Sequence, residues 1–108
     1  MVIRDQDKKF VTVLDGIQRK TLATGDQAMV VKFVLAAGAE LPRHSHPQEQ
    51  VGYLIAGAML MTIGDQTYQL TAGDSWAIPG GVEHGATVQH SVEAIEVFVP
   101  VREDYREL

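Results

Sequence analysis

Apolar residues in this chain recur in short runs separated by glycine, with almost nothing of helical period. Residues 10–14 and 17–23 flank Asp15-Gly16 and read as an N-terminal hairpin. Residues 28–35 form a strongly apolar strand interrupted only by Lys32. Two further strands follow at 51–56 and 58–63. The second pairs with 67–70 across Gly64-Asp65-Gln66, whose Gly and Asp tolerate positive φ. Residues 75–78 make a short strand ended by Pro79-Gly80-Gly81, and 92–99 make a last strand stopped by Pro100. The tail, 102–108, suits either one helical turn or irregular chain, and periodicity does not separate the two. Regularly spaced short strands with glycine turns predict an all-β sandwich or barrel.

Length narrows this to one domain over residues 1–108, because 108 residues supply a single barrel core and not two. Hydrophobic residues at 45% and charged residues at 21% are ordinary for a soluble globular protein. No apolar run approaches the roughly 18 residues of a membrane span, and the N-terminus has no apolar signal core. With zero cysteines, disulfides and thiolate metal sites are excluded, and a cytoplasmic location is expected. A net charge of −5 argues against nucleic acid as partner, but one or two placed arginines suffice for a small anion.

The chemistry is concentrated in two glycine-framed clusters. The first runs Gly38, five residues, His44-Ser45-His46, three residues, Gln50, six residues, Gly57. The second runs Gly73, five residues, Pro79-Gly80-Gly81, two residues, His84. On an extended strand, His44 and His46 point to one face, and neutral imidazole is the commonest protein ligand for transition metals. Gln50 shares their parity, whereas Glu49 points the other way unless a bulge intervenes. Three imidazoles and an amide oxygen are all neutral, so a bound divalent ion keeps its full charge and acts as a strong Lewis acid. Such ligands discriminate poorly among Ni, Zn, Mn, Fe and Co. His90, between two predicted strands, reads as an exposed turn residue. Met59 and Met61 read as lumen or interface packing, Trp76 and Tyr53 as cavity lining or core, and Lys32 and Arg43 as cations available for steering. In the last strand Ile95, Val97 and Val99 share one face and Glu96 and Phe98 the other. Alternation leaves open whether Glu96 faces solvent or interior.

The two clusters, spanning 38–88, resemble the paired signature motifs of the cupin superfamily. Gln50 stands where most cupins carry a glutamate, and Val88 where the second motif usually ends in Asn. The implied fold is the double-stranded β-helix, a jelly-roll barrel with one divalent metal. His44-Ser45-His46-Pro47, Glu49-Gln50-Val51-Gly52-Tyr53 and the segment 96–105 are similar to the pectin-degradation KdgF family, a resemblance covering nearly all of 28–105. That family converts 4,5-unsaturated monouronates to linear keto acids. The resemblance implies metal on His44, His46, Gln50 and His84. Beside them the family carries Asp, Phe and Arg, matched here by Glu96, Phe98 and Arg102. It implies Glu96 as the proton-transfer group, Arg102 as the carboxylate clamp and Phe98 as the pocket wall. The rival readings are a cupin dioxygenase and a metal- or sugar-binding cupin without turnover. Strands 28–35 and 92–99 are apolar on both faces, so the outer one is expected to be covered by the N-terminal hairpin or by a second subunit. The resemblance to compact cupins points to the latter, and a homodimer is expected.

Overall fold

The computed structural model describes residues 1–106. Eight strands form one hydrogen-bonded sheet that folds over on itself: β1 (Val11–Leu14), β2 (Ile17–Thr24), β3 (Met29–Leu35), β4 (Glu40–His44), β5 (Glu49–Ile63), β6 (Gln66–Thr71), β7 (Ser75–Ile78) and β8 (His84–Val99). This is the all-β jelly roll expected from the sequence. Short 3-10 turns lie at Asp5–Asp7 and Glu103–Tyr105, so the tail takes a single turn at its start. Residues 107 and 108 of that tail lie outside the described residues. Among the described residues, no helix is long and apolar enough to cross a membrane.

Two long strands organise the barrel. The first half of β5 pairs with the second half of β8, and β7, β3, β2 and β1 extend that layer on either side. The second half of β5 pairs with the first half of β8, and β6 and β4 extend the opposite layer. Both strands therefore change layer at one corner. Register shifts at Leu54, Ala56 and Ala58 mark the bend in β5, as bulges do where strands turn between layers. Gly57 makes the bend possible: its φ is +100°, and a Cβ there would stand 2.2 Å from the Ser91 carbonyl oxygen. The predicted break at Gly57 is thus a corner inside one strand.

The two layers bury a main apolar cluster, with Ile17, Leu35, Leu54, Ile78 and Val92 from the first facing Met59, Met61, Leu70 and Val88 from the second. Met29, Val31, Phe98 and Val101 form a second, smaller cluster. Met59 and Met61 are therefore core residues. Because β8 runs up one layer and down the other, its two ends return to the same mouth. There His84 pairs with His44, and Phe98 pairs with Gln50. His90 does not sit in a turn. It is exposed but lies within β8, opposite Ala58, because the strand begins at His84 rather than Val92.

Candidate metal centre

β4 delivers His44 to the mouth, the loop after it delivers His46, and the start of β8 delivers His84. Their ligating nitrogens all lie within 4.8 Å of one another. Each ring is fixed through the same local device. The Nδ1 atoms of His44, His46 and His84 contact the carbonyl oxygens of Pro42, Gln48 and Val82 at 2.8, 3.0 and 2.9 Å, each two residues away. A carbonyl only accepts, so every Nδ1 carries the proton, and in the neutral ring every Nε2 presents a lone pair. Burial, with the Arg102 charge as a lesser cause, holds the His46 pKa below its ordinary value. Burial brings His84 down to about 4, so both rings are neutral at physiological pH.

That protonation pattern leaves lone pairs facing lone pairs. The His84 Nε2 is buried with no hydrogen-bond partner among the described residues, and the His46 Nε2 faces the Gln50 Oε1 at 3.0 Å. Two acceptors held that close, beside an orphaned buried nitrogen, fit a cation between them. The donor set therefore fits a divalent metal.

Gln50 is buried at the start of β5 and its neighbour Glu49 is exposed, as alternation within β5 requires. The expected continuous strand parity from His44 does not reach it, because β4 ends at His44 and residues 45–48 form a loop. Glu96 faces the lumen. It is 5% exposed and accepts hydrogen bonds from the Trp76 indole nitrogen at 3.0 and 3.2 Å and from Gln50. Desolvation raises its pKa to about 8, with the Trp76 and Gln50 hydrogen bonds acting the other way. Phe98, 1% exposed, closes the same wall against the His46 ring, with centroids 5.7 Å apart.

Arg102 reaches the site from the C-terminal segment. Its guanidinium lies 3.8 Å from the Tyr105 ring centroid and 5.3 Å from that of Phe98, and it donates to Asp104 through Nε and Nη2. An outer hollow of about 280 Å³ is bounded by His44, Arg102, Tyr105 and Leu14. An inner cavity of about 50 Å³ is bounded by Gln50, His84, Glu96 and Phe33. The histidines thus stand between a roomy mouth and a small chamber holding Glu96.

Apart from Trp76, the remaining sequence candidates lie elsewhere. Lys32 is on the outer face, paired with Asp5 and Glu93 at 3.0 Å each. Arg43 donates to the Gly64 carbonyl. Tyr53 is 50% exposed on the outside of β5 and is not cavity lining, while Trp76 is buried in the lumen. Tyr105 is the functional-site residue that sequence reasoning missed. Arg19 and Arg102 flank its ring and Thr21 donates to its carbonyl, contacts across the whole chain that no local pattern announces.

A family model described as Cupin domain matches residues 31–100. The chain is a cupin. The cupin is 28% identical over 103 residues to the pectin degradation protein KdgF of Dickeya dadantii, covering 94% of each chain. It is 29% identical over 92 residues to the H2HPP isomerase of Bacillus subtilis, spanning 84% of this chain but 39% of that protein. Among solved structures, KdgF from Halomonas sp. superposes with a TM-score of 0.92 at 28% identity, covering 98% of both chains.

Proposed function

We propose that this cupin opens and ketonises 4,5-unsaturated monouronates, giving linear keto acids. What carries the reading is a buried, lumen-facing Glu96 that is hydrogen-bonded to Gln50 and shares the inner cavity with Gln50 and His84, in a chain similar to KdgF proteins over nearly its full length. The reaction is an isomerisation. The anomeric hydroxyl loses its proton as C1 becomes an aldehyde, the ring C1–O bond breaks, and the resulting enol at C5 becomes a ketone by gaining a proton at C4.

His44, His46 and His84, with the Gln50 amide oxygen, would hold the metal. When bound there, a divalent cation supplies a Lewis acid for the substrate carboxylate and for the oxygen on which enolate charge develops. The sugar ring occupies the outer hollow, because the inner chamber of about 50 Å³ is too small for it. Arg102, whose Nε–Nη2 edge is held by Asp104, offers its remaining Nη1–Nη2 edge to the carboxylate, and Phe98 keeps that side of the pocket dry. With its pKa near 8, Glu96 carries a proton at neutral pH and is poised to give it. The inner chamber has room for a bridging water, through which a general acid can act. The proton released by the anomeric hydroxyl restores the acid.

The test is loss of the ultraviolet absorbance of the unsaturated bond when lyase-produced monouronates meet the protein, with and without chelator. Conversion abolished by chelator and restored by metal is expected. Glu96→Gln should retain fold and metal and lose roughly 10²–10⁴-fold in turnover. No conversion by the wild-type protein defeats the proposal.

A further inference from the structure

Glu96 has three rotatable side-chain bonds, so its usefulness as an acid depends on what aims it. Trp76 of β7, Gly52 of β5 and Glu96 of β8 stand side by side in one row across three strands. Residues flanking a middle strand in this way are roughly 10 Å apart at the backbone, and a side chain on the middle strand normally separates them. Here there is none. A Cβ on Gly52 would stand 2.3 Å from the Cε2 and Nε1 atoms of Trp76, so the indole lies across the glycine itself. Its N–H thereby reaches both carboxyl oxygens of Glu96. Glycine inside a strand weakens it and often marks such a close approach. Gln50, one pleat nearer the mouth on the same strand, hydrogen-bonds the same carboxyl from the side of the histidines.

We infer that Trp76 is a positioning residue: its indole N–H, carried over Gly52, holds the Glu96 carboxyl against Gln50 at the inner edge of the histidine cluster. The inference rests on the proton-transfer role proposed above for Glu96 and adds the device that aims it. Packing alone does not require the donor, because a phenyl ring keeps the apolar and aromatic character of the position but offers no N–H.

Trp76→Phe separates the two roles. It should keep fold and bound metal and leave KM unchanged, while kcat falls roughly 10- to 100-fold, as for a lost hydrogen bond to a charged or reacting group. Gly52→Ala should reproduce that loss by forcing the indole aside. In a Glu96→Gln background, Trp76→Phe should cost nothing further, since the residue it aims is already disabled. A readout free of substrate comes from fluorescence, because Trp76 is the single tryptophan. Glu96→Leu, which removes the acceptor, should shift its emission to the blue. Full kcat in Trp76→Phe, an equal loss in both backgrounds, or unchanged emission in Glu96→Leu each overturns the inference while leaving the proposed function standing. If the wild-type protein converts no unsaturated uronate, the proposed function falls instead. The emission comparison then decides alone whether Trp76 holds Glu96.

Discussion

Replacing Glu96 with glutamine removes a proton that the native lumen keeps and the unfolded chain releases, which makes the pH dependence of stability a direct test of the site. The unfolded chain ionises this residue near the ordinary value of 4.5, whereas burial holds the native group protonated until about 8. Between those values the native state binds the extra proton. Its contribution to stability is therefore fully present below pH 4.5, declines as pH rises, and is lost above about 8. Each pH unit in that window costs about 1.4 kcal/mol, so the whole span approaches roughly 5 kcal/mol, comparable with the total stability of many small domains. Glutamine has the same shape and no such proton. The assay is denaturant unfolding of chelator-treated wild type and Glu96→Gln across the window. The wild-type-minus-variant stability should fall steadily with pH. Asp5 and Glu103, whose pKa values are lowered by Lys20 and Arg106, act in the opposite sense but cancel in the difference. A flat difference, or one that rises with pH, would show that the lumen does not favour the protonated acid, and the proton-donor role would fall with it.

His44→Ala and His84→Ala should sharply lower bound metal in purified protein, while His90→Ala on the outside of β8 leaves it unchanged; equal loss in all three removes the site assignment. Gln50→Glu should retain metal but slow turnover, because it reduces the charge on the ion and sets a second acid beside Glu96; turnover at or above wild type would refute the neutral-ligand argument. Val51, Tyr53, Ile55 and Val99 leave an apolar strip exposed along the outer face. A homodimer through that strip is expected, with Tyr53→Lys shifting it to monomer, and a wild-type monomer by light scattering at micromolar concentration counts against it.

The sequence pattern located most strands and the histidine cluster, and its failures have specific causes. β4 carries Pro42 within Glu40–His44, and proline argues against a strand unless it lies at an edge, which is where β4 lies. The first half of β8 mixes Gly85, Thr87, Gln89 and His90 with its apolar residues, so only the part after Val92 stood out. Glu96 was the hardest residue to orient. The outward face of its strand, with Ile95, Val97 and Val99, is as apolar as the inward one, so alternation offered no contrast. The histidines were legible because their spacing is carried by a turn and a strand end. The aiming of Glu96 was not, because it depends on three residues brought together only by pairing across β7, β5 and β8.

Because β5 and β8 each turn the corner at Gly57 and Ser91, the groups around the histidines hang from both ends of the same two strands. His84 begins β8 and Phe98 nearly ends it, while Gln50 begins β5. No single hairpin can open without parting some of them. A metal ion held at the mouth would therefore act as a clasp on the whole barrel and not as a pin in one loop. Loading it should slow amide hydrogen exchange in both layers together, reaching the strand centres near the corner as well as the rim where the ion sits.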